Sequence, residues 1–249
     1  MSKLQFKNKG EEKGWLEIKN QTKNKAELLI YGDIVSSEWE KWESTDVAPI
    51  DVRNFLDEVK GKDLDIYINS GGGSVFAGMG IYNMLKRHEG TKNVYVDGLA
   101  GSIASVIAMA GDNIYIPSNA FLMIHKAWNY TWGNADELRK QADTLDAIDE
   151  GILNVYKEKL KADVDIEEIK NMIADEKWLT GEEASEYFNI NVIEENTSVA
   201  CIKDINLYKN IPETLKNKIK NKTKEVEEKA IENGIKNEYL KAKLELLLL

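Results

Sequence analysis

The sequence has little of what metal and disulfide chemistry needs. It holds one cysteine, Cys201, and two histidines, His88 and His125. A single thiol cannot form a disulfide within the chain, and so few cysteines and histidines argue against a cysteine-rich or polyhistidine zinc site. We therefore expect no metal and no other cofactor. No run of about 18 apolar residues occurs, so no membrane-spanning helix is predicted.

The chain also lacks a surplus of basic residues. Its 33 Lys and Arg residues stand against 43 Asp and Glu residues, which gives a formal net charge of −10. Nucleic-acid binding is not expected, because phosphate backbones select surfaces rich in Lys and Arg. Residues 1–24 are polar and Lys-rich, without the apolar stretch of a signal peptide. We expect a cytoplasmic protein.

Charge changes sign along the chain. Residues 203–249 contain 11 Lys and 8 acidic residues, a balance of +3 that leaves −13 for residues 1–202. We divide the chain into an N-terminal segment (1–25), a main domain (26–202) and a basic tail (203–249), and the charge shift predicts the second of these boundaries. The Lys, Glu and Leu spacing of the tail predicts one or two helices, broken at Asn233-Gly234. They are either solvated or paired with another chain.

Short apolar runs alternate with amphipathic stretches in the main domain. Strands are predicted at residues 27–31, 64–69, 93–96, 113–116 and 121–124. A long helix is predicted over residues 134–161, with an inner apolar stripe at Leu138, Leu145, Ile148, Ile152 and Val155. Repeated strand–helix–strand units of this length predict an α/β fold with parallel strands.

Two segments combine glycine and serine. In Gly98-Leu99-Ala100-Gly101-Ser102-Ile103, a serine stands between a predicted strand and a buried helix. The free amides of a helix N-terminus stabilise developing negative charge, although Ser102 is also a normal helix N-cap. In Asn69-Ser70-Gly71-Gly72-Gly73-Ser74, a strand runs into three glycines, which predicts a tight turn. Its amides suit an oxyanion or a peptide backbone, and it lacks the spacing of nucleotide-binding loops.

A histidine ends the predicted strand Phe121-Leu122-Met123-Ile124-His125. A lone histidine in such a place is more often structural than catalytic. A serine in the preceding α/β unit changes this interpretation, because serine is a weak nucleophile until a base takes its proton. The imidazole in turn needs a carboxylate to fix its tautomer, and Asp175 and Glu176 are the candidates.

These motifs, in this order, resemble the Clp protease proteolytic subunit (ClpP) family of serine peptidases. Within it, the chain looks most like the ClpP-like head-maturation proteases of tailed bacteriophages and prophages. The resemblance covers residues 26–195, and four matches carry it. Ile68–Val75 resembles the family's I-N-S-P-G-G-S-V, Gly98–Ser102 the segment that bears its nucleophile, Met123–His125 its M-I-H, and Leu179–Ala184 the stretch after its catalytic acid. It implies a ClpP/crotonase-like fold of repeated β-β-α units with a long handle helix, here followed by a C-terminal helical tail.

The resemblance also implies roles for single residues. Ser102 would be the nucleophile and His125 the general base, with Ser105 as a rival nucleophile. The backbone amides of Gly73 and Ile103 would form the oxyanion hole. The substrate would lie as an extended strand against the glycine loop and the segment after His125. The residues expected to contact it are Gly71, Gly72, Ser74 and Lys126.

Two departures from the family pattern concern the site. Gly71 stands where the family has proline, which loosens the turn. Counting back from Trp178 places the family's catalytic aspartate on Glu176, and a glutamate is able to do the same orienting work with one more methylene. Asp175, one residue earlier, stays an alternative.

The resemblance implies a serine endopeptidase that forms an acyl-enzyme and assembles as a homo-oligomeric single or double ring. Phage relatives process capsid or scaffold proteins in the bacterial host cytoplasm, and the basic tail would then serve assembly. Docking to an unfoldase ATPase is in doubt, because residues before 26 and after 203 do not match the housekeeping subunit. Two other classes stay open: a catalytically inactive ring used as an assembly module, and a crotonase-type acyl-CoA enzyme, which needs no Ser–His pair.

Overall fold

The structure, a computed structural model, describes residues 7–8, 11–12, 22, 24–195 and 207–217. The predicted helix break at Asn233-Gly234 lies outside the described residues. The strands are β1 (Lys7–Asn8), β2 (Glu11–Glu12), β3 (Lys25–Ile34), β4 (Asp63–Gly73), β5 (Lys92–Gly101), β6 (Asn113–Pro117), β7 (Phe121–Ile124), β8 (Lys177–Thr180) and β9 (Asn191–Ile193). The helices are α1 (Pro49–Glu58), α2 (Val75–Arg87), α3 (Ile103–Ala108), α4 (Ala135–Lys157), α5 (Ile166–Ala174) and α6 (Gly181–Tyr187), with a 3₁₀ turn at Glu38–Glu40. Residues 213–217 are also helical.

One mixed sheet organises the main domain. Its strand order is β3-β4-β5-β6-β9, and all of these neighbours are parallel. β7 pairs with the far end of β5 in parallel, and β8 pairs with β7 antiparallel. The predicted α/β fold is therefore confirmed. β4 lies between β3 and β5 with eight of its eleven residues buried, as expected of an interior parallel strand covered on both faces.

The glycine-rich segments continue strands instead of ending them. β4 runs through its three glycines, and Gly72 and Gly73 pair with Asp33 and Ile34 of β3 after a register shift. The predicted tight turn at Gly71–Gly73 is thus wrong. The pairing is possible because these positions lack side chains: a Cβ on Gly73 would lie 2.2 Å from the carbonyl oxygen of Ile34, at a φ of +139°. β5 likewise runs on to Gly101, beyond the predicted end at residue 96.

Two apolar clusters form on the sheet. The large one includes the strand residues Ile66, Ile68, Val94 and Val96 together with the helices α1, α2 and α3. α2 approaches α3 so closely that a Cβ on Gly78 would lie 2.2 Å from the Ile103 side chain. The small cluster is formed by Leu99, Phe121, Met123, Trp178, Ile211 and Leu215, with Tyr208 packed against it. Part of the predicted tail therefore packs on the sheet.

The long helix α4 packs on the domain only near its end. Asn134 caps it and accepts hydrogen bonds from the amides of Asp136 and Glu137. Its buried residues are Ile152, Val155 and Tyr156. Leu138 is 43% exposed, so its assignment to the inner stripe was wrong, because the first turns of α4 project away from the sheet. Over the part of the chain that the structure describes, no helix has the length and apolarity to cross a bilayer.

Candidate active site

Ser102 lies at a sharp turn between β5 and α3. Its backbone has φ 53° and ψ −128°, a strained conformation for a residue with a side chain. Its N–H donates to the carbonyl oxygen of Met123 (2.9 Å), which ties the turn to β7. Gly72 approaches from the other side, where a Cβ would lie 2.7 Å from the Cβ of Ser102. The turn presents the hydroxyl at the carboxyl end of β5, ahead of the helix.

His125 follows directly after β7 and reaches Ser102. The parallel register pairs Gly101 with Met123, so the residues that follow each strand lie side by side. The Nε2 atom of His125 is 2.7 Å from the Oγ of Ser102. In the neutral imidazole, Nε2 accepts the serine proton when Nδ1 carries the ring hydrogen. The two residues thus form the hydrogen-bonded pair that serine activation requires.

The environment of His125 keeps its imidazole neutral. Burial lowers its pKa from the ordinary 6.5, because a protonated ring is poorly solvated there. The negative charges of Glu176 and Asp149 act in the opposite direction without cancelling the effect of burial. A base with a lowered pKa is unprotonated, and so competent, across the neutral range.

The two candidate carboxylates lie in different surroundings. Antiparallel pairing of Ile124 with Lys177 places the next residues outward, His125 and Glu176, beside each other. Glu176 is 8% exposed and holds a positive φ of 50°. Asp175 is exposed and ends α5 as its C-cap. Of the two, Glu176 is the buried carboxylate beside His125, and its role as the catalytic acid stays a prediction.

Glu176 accepts hydrogen bonds through one oxygen. Its Oε1 accepts the backbone N–H groups of Lys209 (2.7 Å) and Asn210 (2.8 Å) and the indole N–H of Trp178 (3.3 Å). The side chain of Asn210 also donates to the carbonyl oxygen of Asp175 (2.6 Å). Within the described part of the chain, no hydrogen bond joins Glu176 directly to His125. The acid is restrained by a segment far away in the sequence.

The predicted oxyanion donors lie on either side of Ser102. Ile103 is the first residue of α3, so its N–H has no partner within the helix. Gly73 is exposed at the end of β4. Its neighbours use their amides internally, since Gly72 donates to the Ser70 hydroxyl (3.1 Å) and Ser74 to the Ile34 carbonyl (2.7 Å). The oxyanion role of Gly73 and Ile103 stays a prediction.

Of the predicted substrate contacts, Lys126 borders a cleft, whereas Gly71, Gly72 and Ser74 do not line it. A cavity of about 620 Å³ is lined by His125, Lys126, Trp128, Tyr130, Asp175, Glu176 and residues of the tail. Lys126 extends toward α4, where it pairs with Asp149 (3.5 Å) and Asp146 (3.8 Å). Gly71 is buried, and its carbonyl accepts the Tyr208 hydroxyl (2.7 Å). The substrate contacts of Gly71, Gly72, Ser74 and Lys126 stay predictions. The described residues contain no cluster of side chains suited to a metal ion.

Ser105, the rival nucleophile, is fully buried. Its hydroxyl donates to the carbonyl oxygen of Ser102 (2.5 Å) and lies 2.7 Å from the hydroxyl of Tyr156. Because Ser105 already donates to a carbonyl, Tyr156 is the donor in that second bond. The network supports the strained turn at Ser102, and it leaves Ser105 no access to a substrate.

Sequence analysis missed two parts of the site. The negative charge of Asp149, in α4, raises the pKa of His125, and no local sequence motif marks this residue. The segment around Tyr208 was assigned to a basic tail, although Tyr208, Ile211 and Leu215 have helical apolar spacing that was a usable signal.

The family model of Clp protease matches residues 34–197, about two thirds of the chain. The chain belongs to the Clp protease family. It is 31% identical over 146 residues to the ATP-dependent Clp protease proteolytic subunit of Bacteroides thetaiotaomicron, covering 56% of this chain and 64% of that relative. Subunit 1 of Salinibacter ruber is 26% identical over 152 residues (60% and 64%), and subunit 2 of Thermobifida fusca is 30% identical over 142 residues (56% and 69%). The match thus spans slightly less than two thirds of the first two relatives. The predicted family is confirmed.

Proposed function

We propose that this chain is a serine endopeptidase with Ser102 as its nucleophile. The observation that carries the proposal is the 2.7 Å contact between His125 Nε2 and Ser102 Oγ at a strained turn. Membership of the Clp protease family supports it, as does the buried carboxylate of Glu176 beside the histidine. A crotonase-type acyl-CoA enzyme would have no need of this pair.

In the acylation step, Ser102 Oγ attacks the carbonyl carbon of a peptide bond while His125 Nε2 takes its proton. The carbonyl oxygen becomes an oxyanion, which the amides of Gly73 and Ile103 would stabilise. The C–N bond then breaks, and His125 gives its proton to the leaving amine. In the second step, His125 deprotonates a water molecule that attacks the ester, which regenerates Ser102 and releases the acid.

Glu176 would hold His125 with its Nδ1 hydrogen directed at the carboxylate. Its charge also stabilises the imidazolium that forms during proton transfer. Asp149 adds a second negative charge from α4, while its Oδ1 accepts the N–H of Ala127 (2.8 Å). That bond fixes the chain just after the histidine, where we expect the substrate strand to pair.

The direct test is hydrolysis of an unstructured protein such as casein by the full chain, followed by mass spectrometry of the peptides. We expect cleavage by the wild type, and a loss on the order of 10⁶-fold in kcat for Ser102→Ala. Equal cleavage by both proteins would contradict the proposal. No cleavage by a folded, ring-forming wild type would favour the inactive assembly module.

For assembly and substrate, we propose a homo-oligomeric ring and a phage capsid or scaffold protein. The family supports the ring. The resemblance to head-maturation proteases and the basic tail, residues 203–249, support the substrate class.

Whether cleavage needs an ATPase is tested by assaying folded and unfolded forms of one substrate without ATP. Cleavage of a capsid or scaffold protein encoded beside this chain, but not of unrelated folded proteins, is the expected result.

A further inference from the structure

The tail segment, which we define as residues 207–217, docks beside the catalytic residues. Ile211 is 7% exposed and Leu215 is 1% exposed, and both lie in the small apolar cluster. The cluster residues Met123 and Trp178 belong to β7 and β8, the strands that carry His125 and Glu176 at their ends. The apolar contacts therefore fix where the polar start of the segment lies.

The polar residues at the start of the segment, Lys209 and Asn210, hydrogen-bond to Glu176. The consecutive amides of Lys209 and Asn210 both point at Oε1, and the Asn210 side chain binds the carbonyl of the preceding residue, Asp175. Tyr208 is held on both sides, with its hydroxyl on the Gly71 carbonyl and its ring centroid 6.0 Å from that of His125 and 5.6 Å from that of Trp178. One short segment thus touches the glycine loop, the histidine and the acid.

The acid has a reason to need this restraint. A glutamate has one more rotatable bond than an aspartate, so holding its carboxylate in one orientation costs more conformational entropy. Three N–H groups on Oε1 restrain the carboxylate, and no described residue donates to its other oxygen, Oε2. Backbone amides are suited to this task because they form charge-assisted hydrogen bonds with a carboxylate and add no competing charge.

We propose that the tail segment is a positioning element that orients Glu176 toward His125 through the amides of Lys209 and Asn210. This inference rests on the proposed peptidase function. Lys209 and Asn210 touch no reacting atom. Their effect is carried by the orientation of the acid, and therefore acts on the chemical step more than on substrate binding.

The test removes one amide at a time from the full chain. In Lys209→Pro and Asn210→Pro the N–H is lost, whereas Lys209→Ala and Asn210→Ala keep it. We expect kcat for a peptide substrate to fall about 10- to 100-fold in the proline variants, with KM changed less than about twofold. The alanine variants should lose much less of kcat than their proline partners. Thr214→Ala, at an exposed position of the same segment, is the matched control without effect.

A second perturbation avoids the backbone of residues 209 and 210. Leu215→Asp places a charge in the apolar cluster and should undock the segment, with a similar fall in kcat. In a Glu176→Ala background, neither Leu215→Asp nor the proline substitutions should lower kcat further, because the group that they position is gone. This lack of additivity would not occur if the segment merely stabilised the fold.

The outcomes are distinct. Equal kcat in proline and alanine variants overturns the inference, and so does additivity with Glu176→Ala. A rise in kcat on undocking also overturns it, because the segment would then obstruct the site. Absence of Ser102-dependent cleavage in the wild type would instead contradict the proposed function itself.

Discussion

The two halves of the proposed catalytic site are built in different ways. Ser102 and His125 follow adjacent parallel strands, and the sharp turn at Ser102 places its Oγ 2.7 Å from the Nε2 of His125. Glu176 lies beside them through the β7–β8 pairing. Its hydrogen-bond donors are Trp178 and the backbone amides of Lys209 and Asn210, which lie 33 and 34 positions further along the chain. The sheet thus positions Ser102 and His125, whereas Glu176 also depends on contacts from a segment outside the sheet.

Apart from removal of the nucleophile itself, the largest expected effect concerns the acid half, Glu176 and its hydrogen-bond donors. Glu176→Gln should lower kcat/KM about 10⁴-fold, since an amide cannot stabilise the imidazolium and favours the wrong tautomer. Asp175→Asn should change it less than about threefold, because Asp175 is exposed. Steady-state peptidase kinetics on both variants checks the prediction. The reverse order of effects would make Asp175 the third residue.

The next effect concerns the serine half, Ser102 and His125, and comes from displacing the turn at Ser102. Gly72→Ala would place a methyl group 2.7 Å from the Cβ of Ser102, at a φ of +108°. The turn must shift, and a displacement of this kind should cost about 10²-fold in kcat. Gly80→Ala is the control, because a Cβ there meets nothing within 4 Å. Retention of full activity by Gly72→Ala would show that the turn is more tolerant than its geometry indicates.

A smaller effect, on the pH dependence of kcat/KM, tests how the charge of Glu176 acts on His125. In the proposed mechanism neutral His125 is the base, and burial lowers its pKa from 6.5, so the acidic limb of kcat/KM should have its midpoint below pH 6.5. The charge of Glu176 opposes this shift, so the limb of Glu176→Gln should move to still lower pH. A midpoint at or above 6.5 in the wild type, or a shift toward neutral pH in the variant, would contradict this electrostatic description.

The smallest effect on activity is expected at Ser105. Ser105→Ala leaves the buried hydroxyl of Tyr156 without its acceptor and removes a donor from the Ser102 carbonyl. We expect a loss of about 1–3 kcal/mol in the free energy of unfolding. Cleavage dependent on Ser102 should persist. Chemical denaturation and the peptidase assay together check this, and complete loss of activity in a folded protein would revive Ser105 as a nucleophile.

The serine half could be predicted from sequence because its signals are local. The apolar runs of β4, β5 and β7 predicted buried parallel strands, and Ser102 and His125 stand at their ends. The fold class was predicted correctly for the same reason. The glycine run was misread as a turn because a bulged strand and a turn both need residues without a Cβ, and only the partner strand β3 distinguishes them.

The acid half could not be predicted fully because its contacts are long-range. Asp175 and Glu176 are adjacent in sequence; counting back from Trp178 pointed to Glu176 without excluding Asp175, and the β7–β8 register places Glu176 beside His125. The amides of Lys209 and Asn210 carry no side-chain signature at all. The charge balance assigned Tyr208, Ile211 and Leu215 to a basic tail, because they lie among lysines.

The most direct measurement is labelling of the full chain with a fluorophosphonate, followed by peptide mass spectrometry. The probe reacts only with a serine that a neighbouring base activates. Our account predicts one phosphonylated residue, Ser102, with no labelling of Ser102→Ala and much slower labelling of His125→Ala and Glu176→Gln. Labelling at another serine, or none in a folded and assembled wild type, would contradict it.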